Sequence, residues 1–131
     1  MMFDKCRNTK QQGNIGLGAA IQYFTLSGYI VSVPLNDSQD YDLIVDDGKN
    51  LLKVQVKTTK QVTKYNRFVV NLRVLGGNSK ENYVHKKGDE IIYDLLFVLC
   101  DDGTTYLIPK SIIQERKSTV TLGKQYNQFK I

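Results

Sequence analysis

Residues 42–59 read DLIVDDGKNLLKVQVKTT: a short apolar run, a cluster of turn formers, then a stretch in which apolar and polar side chains alternate. The pattern predicts two antiparallel strands, Asp42–Val45 and Leu51–Thr58, joined through Asp46-Asp47-Gly48-Lys49-Asn50. With a simple loop at Asp47–Asn50, Asp46 faces Leu51 and Asp42 sits opposite Gln55. Side chains alternate across a strand, so Gln55 and Lys57 share one face while Val54 and Val56 take the other, apolar one. Lys57 becomes a diagonal neighbour of Asp42. A carboxylate, an amide and an ammonium therefore meet on one patch.

Upstream, Leu17, Ile21 and Phe24 are spaced as one face of a helix over Gln11–Ser27, with Gly13, Gly16 and Ala20 as a second stripe of small residues. Glycine costs about 1 kcal/mol in a helix interior relative to alanine. Gly13, Gly16 and Gly18 therefore imply close approach to a sheet or to a DNA backbone. Gly28 ends the helix, and residues 29–33 read as a buried strand, followed by a loop at Asn36–Asp40. Downstream, Arg67–Leu75 is expected as a strand, 76–89 as a loop, and Ile91–Leu99 as a central strand. The chain then turns through Asp101-Asp102-Gly103 into Thr104–Ile108, and Pro109 is expected in the first turn of a short helix, Lys110–Glu115. This order predicts one α/β (α+β) domain over residues 1–131, with helices packed on a mixed sheet.

The composition is that of an ordinary globular chain, 41% hydrophobic and 24% charged. Neither a signal-peptide pattern nor an apolar stretch of about 20 residues is present, so a soluble, intracellular protein without membrane partners is expected. Cys6 and Cys100 form no CxxC pair, and the chain has 1 histidine, His85, which excludes a histidine-cysteine zinc site. Cys100, ending an apolar run, is expected as a small buried side chain, and His85 on the surface. The net charge of +5 favours a polyanionic partner.

Phosphodiester hydrolysis suits the patch, because Mg²⁺ takes hard oxygen ligands from one or two protein groups and completes its shell with phosphate and water. Asp42 is the candidate anionic ligand, Gln55 a neutral one and the Val56 carbonyl a third. Lys57 is the candidate for orienting or helping to deprotonate the attacking water and offsetting charge in the transition state. An Asp at a strand start and alternating polar residues are also what any half-solvated sheet face shows. Spacing alone leaves both readings open.

The glycine-punctuated helix from Gly13, the segment VPLNDSQDYDLIVDDG and above all VQVKTT resemble the core of the PD-(D/E)XK endonucleases related to group I intron-encoded homing enzymes. DLLFVL and DGTTYLIP, further on, are similar more loosely. The resemblance implies a restriction-endonuclease-like core and a cytoplasmic, bacterial or phage-encoded enzyme that cleaves double-stranded DNA with Mg²⁺, for which Mn²⁺ substitutes, and no small-molecule cofactor. It makes Asp42 the motif aspartate, Gln55 the residue of the D/E slot and Lys57 the motif lysine. Gln55 departs from the acidic pattern. Leu17 departs further, standing where many relatives carry a first-helix glutamate after G-x-x-G. Asp37, Asp40 and Asp94 are the candidates for a second acidic ligand.

Lys10 before the helix and Lys60, Lys64, Arg67 and Arg73 after the motif lysine are the candidate DNA-binding residues. Tyr65 among them is expected in the core, and Lys86 and Lys87 in a solvated loop. Double-strand cleavage needs two active sites, so a homodimer or homotetramer is expected. A site-specific homing-type or phage-associated endonuclease fits best. A Holliday-junction-resolving nuclease and a catalytically inactive DNA-binding module are the alternatives.

Overall fold

The computed structural model describes residues 1–36, 40–72, 74–75, 83–84, 91–113 and 118–131. In chain order the elements are α1 (Thr9–Leu26), β1 (Ile30–Ser32), β2 (Leu43–Asp46), β3 (Leu51–Thr59), β4 (Val69–Asn71), β5 (Val74–Leu75) and β6 (Tyr83–Val84). They continue with β7 (Leu95–Cys100), β8 (Thr105–Pro109), α2 (Lys110–Ile113), β9 (Thr119–Thr121) and a 3₁₀ helix, Lys124–Phe129. Five strands form the main sheet in the order β1-β2-β3-β7-β8. Only the β3–β7 pair is parallel, so the sheet is mixed, as expected.

The β2–β3 register is the expected one: Leu43 pairs with Val54 and Asp46 with Leu51. The turn enforces it. Asp47 accepts the N–H groups of Lys49 and Asn50 at 2.8 and 2.7 Å, and Gly48 takes φ 93°. These bonds hold the Asp47 carboxyl below its ordinary pKa.

α1 packs on one face of the sheet. Asn8 caps it by accepting the Gln11 N–H at 2.9 Å, and Gly28 leaves it at φ 88°. The buried line is Gly16, Ala20 and Phe24, not the expected Leu17-Ile21-Phe24 stripe, whose first two members flank it half-buried. Small residues win because the helix lies close to β3. A Cβ at Gly16 would overlap Thr58 Cγ2 and press on Val56 Cγ1 at 3.3 Å. Gln12 Nε2 also donates to Thr58 Oγ1 at 2.9 Å. Gly13 and Gly18 face open space, so the close-approach reading holds for Gly16 alone.

Apolar cores fill both faces. Phe24, Leu43, Val45, Val54 and Phe97 lie under α1; Val70, Leu96, Val98, Ile108, Val120 and Tyr126 lie on the opposite side. Cys100 is buried as expected, its thiol pushed up to about 12 by burial. The outer edge of β8 is covered by the last residues: Ile131 N–H donates to Thr105 O at 3.1 Å and Thr105 Oγ1 donates to Ile131 O at 2.9 Å.

Other expectations need correction. β1 is not a buried strand but the opposite edge, with Ile30 69% and Val33 54% exposed. Residues 67–75 do not make one strand. β4 pairs with β9 and β5 with β6, each in a separate two-stranded sheet. β6 falls inside the expected 76–89 loop, and β7 begins only at Leu95. Pro109 closes β8 rather than opening a helix, and α2 is described only to Ile113. Arg73, Asp37, His85, Lys86 and Lys87 lie outside the described residues.

The close approach at Gly16 gives a stability test. Gly16→Ala is expected to lower unfolding free energy by about 1–3 kcal/mol in denaturant titrations, the range for overpacking. A Thr58→Ser background, lacking the obstructing methyl, recovers most of that loss. Gly13→Ala, with no contact to offend, raises stability by about 0.5–1 kcal/mol.

Candidate active site

Asp42 stands one residue before β2, where the ladder has not yet begun, and its position follows from that. Its N–H donates to Val54 O at 2.8 Å, while its own carboxylate turns back to β3 and takes the Val56 N–H at 2.8 Å. The same oxygen, Oδ2, accepts the Gln55 Nε2 at 2.9 Å. The side chain thus replaces a backbone carbonyl as partner of β3. Gln55 is buried, 8% exposed, and its Nε2 also lies 3.4 Å from Val56 O.

Lys57 is half-buried two residues further along the same face of β3. Burial raises the Asp42 pKa; the Val56 N–H and the Lys57 ammonium pull it back down, so Lys57 acts on Asp42 through space. The structure therefore gathers Asp42, Gln55, Val56 and Lys57 as the strand register requires. Thr59, next on that face, is buried and donates to Val69 O, tying β4 against the C-terminal end of β3.

Asp42 also lines a small cavity of about 130 Å³ with Leu17, Val33, Pro34, Asn36 and Tyr41. Leu17 thus faces the same space as the motif aspartate. Tyr41 and Asn36 were not singled out from sequence; only their proximity to Asp42 in the chain pointed to them. Asp94 belongs elsewhere: its carboxylate accepts the Lys53 N–H at 2.9 Å where β7 begins beside β3. Asp40 is half-buried ahead of Tyr41.

The donor types fit a hard divalent cation, since Asp42, Gln55 and Val56 can each supply an oxygen. Charge is scarce. Among the described residues no group of three or more His, Cys, Asp or Glu side chains lies together. Gln55 also presents nitrogen, not oxygen, to Asp42, as it must beside a bare carboxylate. To offer its oxygen to a cation next to Asp42, the amide has to turn over.

Lys10, Lys60, Lys64 and Arg67 are all exposed. Lys10 lies in the first turn of α1, whose Gln12 touches Thr58, and Lys60 follows the end of β3, so both belong to the same end of the sheet. Tyr65 is 71% exposed and not in the core, with Lys64 Nζ 5.1 Å from its ring centroid. Among the described residues no helix is long and apolar enough to cross a membrane.

A sequence model described as PD-(D/E)XK endonuclease matches residues 7–129. The solved structure of a bacterial homing endonuclease, I-Ssp6803I, is similar at a TM-score of 0.72 and 30% identity, over 89% of this chain and 79% of that one. A search of the curated proteins returned no match.

Because burial holds the Asp42 pKa up, its ionised form opposes folding; the cost is absent below the unfolded carboxyl range and complete above the raised folded value. Asp42→Asn, which keeps an acceptor for Val56 N–H, is accordingly expected to match or exceed wild-type stability at pH 7. Thermal melts should show that difference shrinking as pH falls through the carboxylate range. A variant less stable at neutral than at acidic pH, relative to wild type, would contradict it.

Proposed function

The chain belongs to the PD-(D/E)XK endonuclease family, and on that premise we propose that it is a Mg²⁺-dependent endonuclease cutting both strands of DNA at a specific site, with Asp42, Gln55 and Lys57 as its catalytic set. The observation that carries this reading is the shared anchoring of Gln55 and the Val56 N–H on Asp42 Oδ2, with Lys57 acting on the same carboxylate. The likeness to a bacterial homing endonuclease supports the homing-type assignment.

Asp42, the Gln55 amide oxygen and the Val56 carbonyl would hold the cation. When bound, it supplies Lewis acidity toward the phosphate and a more acidic water, so no histidine base is needed. Lys57 orients the attacking water and offsets charge growing on the phosphate oxygens. Asp42 fixes β3 at Val56 and thereby sets where Lys57 points. With a single carboxylate in the donor set, cation affinity is low until the scissile phosphate adds its own negative oxygens. Mn²⁺ is expected to substitute. Two sites must act on the two strands, which favours a symmetric dimer or tetramer.

Incubating supercoiled plasmid carrying a candidate target, and separately a four-way junction, with Mg²⁺ or Mn²⁺ tests the assignment. Linear product from one locus is expected. Junction-selective nicking would reassign the protein to resolution, and retention of DNA without cutting would make it a binding module. Lys57→Ala should lose at least a hundredfold in cleavage rate while keeping its salt-dependent DNA affinity.

The scarcity of charge gives a separate test. Leu17→Glu adds a carboxylate to the Asp42 cavity, and Gln55→Glu removes the amide that must turn over. Each is expected to bind Mn²⁺ at least tenfold more tightly than wild type in the absence of DNA, read by titration calorimetry. Unchanged affinity in both would detach Leu17 and Gln55 from the cation site.

A further inference from the structure

A second basic feature lies away from Asp42. A cavity of about 280 Å³ opens between the segment Asn66–Phe68, the start of β8 and the C-terminal 3₁₀ helix. Arg67, Lys124 and Lys130 line it, with Asn127 beside them and Tyr106 among its walls. Asp102 is the single carboxylate of the lining, and one of its oxygens already accepts the Thr104 N–H at 2.9 Å. Arg67 from one segment and Lys124 and Lys130 from the two ends of the C-terminal 3₁₀ helix thus line one concave site with a single carboxylate among them. Such self-repulsion is relieved by a bound anion.

The walls are built rather than incidental. Residues 62–68 form a hairpin tip: Val62 bridges Phe68, and Thr63 N–H donates to Arg67 O at 2.9 Å. Asn66 takes the left-handed conformation at φ 59°, and Thr63 Oγ1 accepts the N–H groups of Tyr65 and Arg67. On the other wall, a Cβ at Gly123 would stand 3.4 Å from an Arg67 guanidinium nitrogen, so Arg67 lies against the entry to the 3₁₀ helix. Lys130 Nζ sits 5.9 Å from the Tyr106 ring centroid.

Register ties this cleft to the candidate active site. Lys57 pairs with Val98, and Val98 with Tyr106. At about 4.8 Å per strand, Tyr106 is roughly 10 Å across the sheet from Lys57 at the backbone. A duplex with its axis across the strands would advance about three base-pair steps over that span, at ~3.4 Å of rise each.

We propose that the cleft lined by Arg67, Lys124 and Lys130 is a second phosphate site that holds the DNA backbone a few base pairs from the phosphate being cut. The proposal rests on the nuclease reading for its ligand, but its test does not depend on cleavage. A backbone clamp of this kind adds affinity and orientation without reading sequence.

Binding of a fluorescent duplex is measured by anisotropy over a range of KCl, for wild type, for Lys124→Gln/Lys130→Gln, and for Lys49→Gln/Lys110→Gln as a charge-matched control. The control lysines lie at the other end of the sheet, where Lys49 precedes β3 and Lys110 N–H bonds Asp94 O. Each lost phosphate contact removes about 0.9 from the slope of log K against log salt, so the cleft variant is expected to lose about 1.8 and bind at least tenfold more weakly at low salt. The control loses less than half of that. Equal losses in the two doubles would overturn the proposal, leaving only a general charge effect.

Lysine acetylation of the wild-type protein provides the check that needs no variant: Lys124 and Lys130 should be protected by duplex while Lys49 is not, and equal labelling with and without DNA counts against the site. Inorganic phosphate distinguishes a small-anion pocket. If calorimetry shows phosphate binding that Lys124→Gln/Lys130→Gln abolishes while duplex affinity is unmoved, the cleft takes free anions and the DNA assignment fails. A wild type that binds duplex through the cleft yet never cuts would instead refute the nuclease reading and leave the cleft intact.

Discussion

One carboxylate oxygen holds the arrangement together. Asp42 Oδ2 accepts both the Val56 N–H and the Gln55 amide, at a point where β3 has β7 on one side but no strand on the other, because β2 has not yet started. Hydrogen bonds to charged groups contribute about 1.5–3 kcal/mol each, whereas leaving the Val56 N–H buried and unpaired would cost a similar amount. Burial acts against the charge, and the N–H and Lys57 act for it. The group that completes the ladder is therefore also the candidate cation ligand: loss of its side-chain oxygen disturbs the strand pairing, whereas Asp42→Asn keeps the acceptor and removes the charge alone.

Around that point the molecule is layered. α1 comes close enough on one side that a Cβ at Gly16 would overlap Thr58, and Gln12 fixes the helix to the same residue. On the other side Thr59 ties down β4, which with β9 roofs the second core. β3 thus carries the candidate site between two supports, with its polar residues 55, 57 and 59 on one face and its apolar ones under the helix.

The part of this legible in the sequence was the local part. Alternation and a turn with its own side-chain bonds set the β2–β3 register before any tertiary contact, which is why Asp42, Gln55 and Lys57 could be grouped from residues 42–59. The resemblance supplied what alternation could not, the significance of Leu17, and that side chain does face the Asp42 cavity. Long-range packing was not legible. Apolar content made residues 29–33 look buried, but edge position depends on strand order, which no local pattern encodes. Tyr65 looked like core for the same reason, and the turn bonds around Thr63 and Asn66 instead hold it outward. The β4–β9 pairing joins distant segments, Val70 meeting Val120, and neither partner is long enough to announce itself.

The tail that lies along β8 has a bearing on assembly. Lys130 and Ile131 occupy the start of that flank, at Tyr106 and Thr105, whereas among the described residues no strand pairs the outer side of β1. If two copies joined through β1, each would cover the bare edge of the other, and the product would be a finite pair instead of a filament.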